Sequence, residues 1–226
     1  MRMKKDIFLL DMDDTLFDFY RTEQLNLIGT LAKFGIAADL KVWRRYHEIN
    51  MCLWQEFEQG KIGKDKIKID RFRRLFDEYG FEGDLAAVAK SFVENFKEIC
   101  IPFDGAEEFL KTLKAKGRIY MVTNGNTDIQ KRHLEDSGFL PLIDGAFISD
   151  EIGFAKPSTG FNEYVASHID GFERQRAVWI GDSLSSDMQC AKLADIDFIL
   201  FTPHGLPEGY DGISAKNYAE LLALLQ

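Results

Sequence analysis

Apolar and polar positions follow two different patterns along the 226-residue chain. Between residues 20 and 100 the apolar residues recur with the period of an α-helix that buries one face. In the first of these segments, "LNLIGTLAKF", the predicted buried stripe consists of Leu25, Ile28, Leu31, Ala32 and Gly35. Three more segments of this kind follow without a proline, and the pattern predicts a compact bundle of four helices.

The remainder of the chain contains short apolar runs separated by helical segments. Five runs are typical of buried strands: "IFLLD", "IYMVTN", "AFIS", "AVWIGD" and "DFILFT". Helices are predicted at 105–116, 127–137, 159–169 and 185–194. Strands that alternate with helices predict an α/β fold with a parallel sheet covered on both faces.

The same patterns predict how the chain is organised. The N-terminal run "IFLLD" has no other partner, so it most simply joins the sheet of the later runs. The helical block is then an insertion after the first strand. We therefore assign residues 1–16 and 101–226 to the core, and residues 17–100 to an inserted four-helix domain.

Polar residues at the ends of the strands are the first candidates for a site, because ligands bind beyond the carboxyl ends of parallel strands. Asp11 and Asp13 follow the first run, Thr123 and Asn124 end the second, and Asp182 follows the fourth. Three carboxylates at one edge repel one another unless a cation lies between them. Oxygen ligands of this kind favour Mg²⁺. The sequence therefore predicts a magnesium site that would in turn clamp a phosphoryl group.

A phosphate site is predicted beside these carboxylates. Lys156 precedes Pro157 in "GFAKPSTG", which places it on a loop where its ammonium can neutralise phosphate oxygens. Thr123 and Asn124 precede Gly125, and together they offer hydroxyl, amide and backbone N–H donors to the same phosphate.

Charge and composition narrow the class of partner. The net charge of −9 disfavours a nucleic-acid polymer, whereas a small phosphorylated metabolite needs only a few local cations. No run approaches the ~20 apolar residues of a membrane span. The three cysteines have no spacing typical of a disulfide framework. The simplest expectation is a cytoplasmic protein with no membrane partner, and the sequence carries no signal for an oligomeric state.

Four short motifs together resemble the haloacid dehalogenase (HAD) superfamily. "DMDDT" matches its DxDxT signature, and "VTNG", "AKP" and "GDSLSSD" resemble its other three motifs, in the same order over residues 11–187. The resemblance implies a Rossmann-like core of three layers and identifies the insertion at 17–100 as a C1 cap. Many relatives have glycine where this chain has Asp14, and we assign Asp14 no role.

The resemblance also implies the catalytic roles. Asp11 would be the nucleophile that forms an aspartyl-phosphate, and Asp13 would be the general acid and base. Mg²⁺ would be held by the Asp11 side chain, the Asp13 carbonyl and Asp182. Asp187 would lie beside the metal or orient Lys156.

The implied activity is that of a Mg²⁺-dependent phosphomonoesterase. The segment "NMCLWQEFEQGKI" looks most similar to the bacterial pyrimidine 5′-nucleotidase branch, which favours a nucleoside 5′-monophosphate as substrate. The predicted substrate contacts are Phe17, Asn50, Trp54 and Lys61. Alternatives are a phosphoglycolate or sugar-phosphate phosphatase, a mutase similar to β-phosphoglucomutase, and a catalytically idle binding module.

Overall fold

The computed structural model describes residues 5–225, and the chain divides into two compact units. The sheet unit comprises the residues up to Asp18 together with those from Pro102, and the helical unit comprises Phe19–Ile101. The structure thus assigns Phe17 to the sheet unit, whereas the sequence analysis assigned it to the inserted helices. Within residues 5–225, no helix has the length and apolar character needed to cross a membrane.

The sheet unit contains, within the described residues, six strands: β1 (Ile7–Leu10), β2 (Arg118–Thr123), β3 (Gly145–Ile148), β4 (Ala177–Gly181), β5 (Asp197–Phe201) and β6 (Ser214–Ala215). Neighbouring strands are parallel in the spatial order β3-β2-β1-β4-β5-β6. The predicted α/β fold with a parallel sheet is confirmed, and all five predicted strands are present. The sequence did not predict β6, because two residues are too few to produce an apolar run.

The central strand β1 positions the first acidic residues. β1 has a paired strand on both sides. Its apolar run is buried throughout, and Ile7 and Leu9 pack in one cluster with Phe161 and Cys190 of the helices that cover the sheet. The register places Leu10 beside Met121 of β2 and Ile180 of β4. Asp11 follows directly, and its backbone N–H donates to the Ile180 carbonyl at 2.9 Å. The order of strands reverses at β1, which is where α/β sheets bind ligands.

The helical unit consists, in its described residues, of four helices, as predicted: α1 (Phe19–Lys33), α2 (Leu40–Glu58), α3 (Lys64–Tyr79) and α4 (Leu85–Glu98). Two of them begin at aspartate caps. The Asp39 side chain accepts from the first N–H groups of α2, and Asp84 does the same for α4. Helix α3 ends at Gly80, whose left-handed backbone stops the helix without steric cost.

The buried face of α1 matches the predicted stripe only in part: Leu31 is fully buried, but Ala32 is exposed. Leu25 is 48% exposed, and the buried face carries polar side chains such as Glu23, Asn26 and Thr30. These polar groups have partners inside the unit: the Asn26 amide donates to the Phe92 carbonyl at 2.9 Å. Hydrophobic periodicity cannot detect such a face, because hydrogen bonds and not apolar character make its burial favourable.

Six further helices belong to the described part of the sheet unit: α5 (Ala106–Lys114), α6 (Thr127–Asp136), α7 (Ser149–Ile152), α8 (Thr159–Ser167), α9 (Asp187–Ala194) and α10 (Tyr218–Leu224). The four predicted helices correspond to α5, α6, α8 and α9, whereas α7 and α10 are short and were not predicted. Phe161 of α8 and Cys190 of α9 share one buried cluster with Leu9 and Trp179 of the sheet. These packed helices hold the strands whose carboxyl ends carry the candidate site.

Candidate active site

Lys156 is the centre of the candidate site. Its Nζ donates to Asp11 Oδ1 at 2.7 Å, to Asp187 Oδ1 at 2.6 Å and to the Val122 carbonyl at 2.8 Å. The lysine is 3% exposed, so the ammonium is held away from water by three acceptors. The structure therefore brings together predicted site residues from three separate segments of the chain.

The charges at this site depend on one another. Burial alone would lower the pKa of Lys156, but the carboxylates of Asp11 and Asp187 outweigh it and raise that pKa. The lysine is therefore a cation at neutral pH. Burial first, and then the charges of Asp187 and Asp13, raise the pKa of Asp11 to about 8 against the opposing effect of Lys156. The pKa of Asp182 is also raised well above its ordinary value, by burial first and by Asp11 next.

The carboxylates form a set that fits a divalent cation. One oxygen each of Asp11, Asp182 and Asp187 lies within 4.8 Å of the others. Burial is the first cause of the raised pKa of Asp11 and Asp182, the neighbouring carboxylates raise it further, and a cation between them would remove that repulsion. Carboxylate oxygens are the ligands that Mg²⁺ prefers. The residues present therefore fit the predicted ion.

Asp187 is engaged by protein donors. Besides Lys156, it accepts from the Trp179 indole at 3.1 Å and from the Ser183 backbone N–H at 3.2 Å. Both roles left open for Asp187 fit its position, because its carboxylate contacts Lys156 and also lies within 4.8 Å of Asp11 and Asp182. Gly181 leaves the space that the Asp187 carboxylate occupies, because a Cβ at this position would lie only 2.3 Å from Asp187 Oδ2. Gly181 was not among the predicted site residues, although it precedes Asp182 directly in the motif "GDSLSSD".

The two predicted phosphate ligands at the end of β2, Thr123 and Asn124, differ in their contacts. The Asn124 amide donates to the Lys156 carbonyl at 2.7 Å and its oxygen accepts from the Lys156 N–H at 2.8 Å. This pair of bonds fastens the loop of Lys156 to the end of β2, so Asn124 positions the lysine. The Thr123 hydroxyl accepts from the Gly125 N–H at 2.9 Å and still has its own proton to donate.

Asp13 has a partner that the sequence analysis did not identify. Its Oδ2 accepts a hydrogen bond from Gln130 Nε2 of α6 at 2.7 Å. Burial raises the pKa of Asp13, while His133 and the Gln130 bond act in the opposite direction. A glutamine on an amphipathic helix has no signal of its own in the sequence, because only the fold places it opposite a residue 117 positions away.

Asp14 lies beside His204 of the loop after β5. Its backbone has a φ of 51°, and its Oδ1 lies 3.4 Å from His204 Nε2. Asp18 lies beside the same imidazole, at 3.9 Å. The hydrogen bond with Asp14 raises the pKa of His204. Asp14 is thus engaged with His204, while its charge also raises the pKa of Asp182 and Asp13.

Two of the predicted substrate contacts are buried inside their own units. Phe17 is 2% exposed and stacks on Phe139 in the sheet unit, with ring centroids 5.5 Å apart. Asn50 is fully buried in the helical unit, where its amide donates to Glu23 Oε1 at 2.8 Å. Glu23 is itself buried and also bonds His47 at 2.7 Å. Packing and hydrogen bonding within each unit account for both positions.

The other two predicted contacts are more accessible. Trp54 is half-buried on α2, with its ring edge-on to Phe57 and the Lys64 ammonium 5.8 Å from its centroid. Lys61 is exposed just after α2. Of the four predicted residues, these two retain surface with which a ligand can make contact.

Comparisons with known proteins agree with this geometry. The family model of haloacid dehalogenase-like hydrolases matches residues 5–195. HAD-hydrolase YfnB of Bacillus subtilis is 34% identical over 199 residues, which are 88% of this chain and 85% of that protein. Pyrimidine 5′-nucleotidase PynA of Streptococcus pneumoniae is 34% identical over 200 residues, 88% of this chain and 84% of that protein. Glyceraldehyde 3-phosphate phosphatase of Methanothermobacter thermautotrophicus is 32% identical over 200 residues, which are 88% of this chain and 85% of that protein.

A solved structure extends the similarity to the whole fold. The crystal structure of YfnB bound to magnesium has a TM-score of 0.91 to this chain at 31% identity, and 99% of each chain is covered. The family model covers the four motifs that the sequence analysis recognised, and the structure joins them at one edge of the sheet. This chain is therefore an enzyme of the haloacid dehalogenase-like hydrolase family.

Proposed function

We propose that this enzyme is a Mg²⁺-dependent phosphomonoesterase that works through an aspartyl-phosphate on Asp11, and that its substrate is a nucleoside 5′-monophosphate. The observation that carries the proposal is the contact of Lys156 with both Asp11 and Asp187. A buried cation beside a carboxylate nucleophile provides the charge that an incoming phosphoryl group needs.

The residues of the site support a two-step reaction. In the first step an Asp11 oxygen attacks phosphorus, the bond to the leaving oxygen breaks, and Asp13 gives that oxygen its proton. In the second step Asp13 takes a proton from water, the water oxygen attacks the same phosphorus, the bond between phosphorus and the Asp11 oxygen breaks, and inorganic phosphate leaves. Lys156 and the Thr123 hydroxyl hold the phosphoryl oxygens throughout. When bound by Asp11, Asp182 and the Asp13 carbonyl, Mg²⁺ supplies further positive charge for these oxygens.

The relatives support the substrate class. PynA is named as a pyrimidine 5′-nucleotidase. The sequence of the segment at 50–62 in the helical unit resembles the pyrimidine 5′-nucleotidase branch. The glyceraldehyde 3-phosphate phosphatase supports a second candidate, a phosphatase of small sugar phosphates. A mutase similar to β-phosphoglucomutase is a third, and it would return an isomerised sugar phosphate with little free phosphate.

The experiment is a screen of about a hundred phosphorylated metabolites for phosphate release, with Mg²⁺ and with EDTA. We expect release that is highest for nucleoside 5′-monophosphates, is lost in EDTA and is restored by Mg²⁺. Asp11→Asn is nearly isosteric and should retain less than about 1% of kcat, a loss of roughly 3 kcal/mol or more. Asp170→Asn is the matched control, because Asp170 is exposed and precedes β4.

The outcome separates the candidates. The highest turnover on a triose or sugar phosphate would favour the second candidate, and an isomerised product would favour the mutase. No phosphate release from any ester in the presence of Mg²⁺ would contradict phosphatase activity and favour a catalytically idle binding module.

A further inference from the structure

Gln130 contacts Asp13, but the proposed reaction assigns it no role. It lies in the first half of α6, is 2% exposed, and donates its Nε2 proton to Asp13 Oδ2 at 2.7 Å. Helix α6 begins at Asn126, whose side chain caps it by accepting from the Ile129 N–H. The helix therefore fixes the place from which the glutamine amide reaches Asp13.

Gly125 leaves the space that this amide occupies. A Cβ at Gly125 would lie 2.1 Å from Gln130 Nε2 and 2.6 Å from its Cδ, which is far closer than atoms can approach. Any side chain there would push the glutamine amide out of its place. The glycine of the "VTNG" motif thus makes the contact between Gln130 and Asp13 sterically accessible.

We propose that Gln130 is a positioning residue that holds the Asp13 carboxyl group so that its Oδ1 faces the leaving oxygen of the substrate. The inference rests on the proposed function, because it assigns Asp13 the proton transfer. An amide N–H can only donate, so Oδ2 serves as the acceptor and the acidic proton is carried on Oδ1. As the bond between phosphorus and the leaving oxygen breaks, that proton moves from Oδ1 to the leaving oxygen, and Asp13 becomes a carboxylate.

A correctly placed proton matters more for some esters than for others. The oxygen of benzyl alcohol leaves as a strongly basic alkoxide unless it is protonated, whereas p-nitrophenolate leaves readily without a proton. Benzyl phosphate and p-nitrophenyl phosphate are similar in size and share the phosphoryl group. The ratio of their kcat/KM values therefore reports proton transfer to the leaving group, and a merely structural role of Gln130 would not change it.

The test compares Gln130→Met, which keeps the length of the side chain and removes its donor, with the wild-type enzyme in saturating Mg²⁺. We expect kcat/KM for benzyl phosphate to fall at least tenfold, part of the roughly 10²–10⁴-fold that general acid catalysis contributes. The kcat/KM for p-nitrophenyl phosphate should stay within about threefold, a small part of that same contribution. Gly125→Ala should show the same selective loss, because its methyl group displaces the amide. Gln175→Ala is the matched control, since Gln175 is exposed and precedes β4 at the opposite end of the strands.

The wild-type enzyme and Gln175→Ala must both be active on the two esters. If kcat/KM then falls equally for both esters in the two variants, or falls for neither ester, the inference is overturned. If the wild-type enzyme itself releases no phosphate from either ester, the proposed function fails and the inference fails with it. A Gln130→Met protein that unfolds leaves Gly125→Ala to decide between these outcomes.

Discussion

Lys156 and Asp11 lie 145 residues apart in the sequence, yet the Lys156 Nζ is 2.7 Å from Asp11 Oδ1. Both residues are buried, and the ammonium also contacts Asp187 at 2.6 Å. The segment after β1 and the loop between α7 and α8 are thus joined by charge at one edge of the sheet. This arrangement can be tested for stability and for activity separately.

Replacing Lys156 by methionine should reduce both the stability and the activity of the enzyme. Without the ammonium, two buried carboxylates lose their partner, and the breaking of a buried ion pair typically costs about 3–5 kcal/mol of unfolding free energy. The loss of the positive charge at the phosphoryl group should lower kcat/KM by about 10²–10³-fold, the usual effect of removing one oxyanion donor. Urea unfolding and steady-state kinetics measure the two effects.

Lys131→Met is the matched control for this prediction. Lys131 lies on α6 and pairs with Glu151 at the exposed surface, so its loss should change the unfolding free energy by no more than about 0.5 kcal/mol. If Lys156→Met is as stable and as active as the control, the ammonium has neither of the roles assigned to it.

Asp182→Asn should stabilise the metal-free protein at neutral pH. Burial raises the pKa of Asp182 well above its ordinary value. At a pH between the ordinary pKa of the unfolded state and the raised pKa of the folded state, the folded state therefore binds more protons than the unfolded state. Stability therefore falls as the pH rises through this range. Removing the charge should raise the Tm at pH 7 by about 2–4 °C for each ~1 kcal/mol gained, as differential scanning calorimetry in EDTA would measure.

The same variant tests the metal site. In the wild-type protein Mg²⁺ should raise the Tm, because it binds only the folded state and relieves the repulsion around Asp11. Asp182→Asn should lose most of this shift. A variant that is less stable than the wild-type protein in EDTA, or that responds fully to Mg²⁺, would contradict the assignment of Asp182.

The sequence predicted the sheet and much of the site because both depend on local signals. An apolar run that ends in a polar residue marks a buried strand and the edge where ligands bind, and this located Asp11, Thr123 and Asp182. Lys156 was found through its motif. The resemblance left open whether Asp187 orients Lys156, and the fold was needed to show the contact of its ammonium with a carboxylate 31 residues away.

Other features depend on contacts that no local pattern records. Gln130 is one polar residue on an amphipathic helix, and its role is visible only when α6 is placed against the end of β1. The buried face of α1 was predicted only in part, since Leu31 is buried as expected and Leu25 is exposed, for a related reason. Glu23 and Asn26 are buried through hydrogen bonds, whereas a periodicity argument counts only apolar residues.

Trp54 and Asn50 should respond differently to substitution, although both were predicted to contact the substrate. Trp54→Ala should raise KM for a nucleoside 5′-monophosphate by several-fold and leave p-nitrophenyl phosphate nearly unchanged, because the half-buried ring offers a stacking surface. Asn50→Ala removes a donor from the buried Glu23 carboxylate and should cost about 1–3 kcal/mol of unfolding free energy.

Steady-state kinetics on the two substrates and urea unfolding measure these effects. Equal kinetic losses on both substrates for Trp54→Ala would show that the ring only holds the helices together. An Asn50→Ala protein of wild-type stability with a selectively raised KM for the nucleotide would show that Asn50 contacts the substrate after all.

The central claim is that phosphorus becomes attached to Asp11, and Asp13→Ala allows this to be measured directly. With p-nitrophenyl phosphate the leaving group needs no proton, so the first step proceeds, while the water of the second step lacks its base. Acid quenching followed by mass spectrometry of the peptide that contains Asp11 should then show one added phosphoryl group on Asp11. The Asp11→Asn/Asp13→Ala double variant should show none. Release of p-nitrophenol by Asp13→Ala with Asp11 unmodified, or with the phosphoryl group on another residue, would contradict the account.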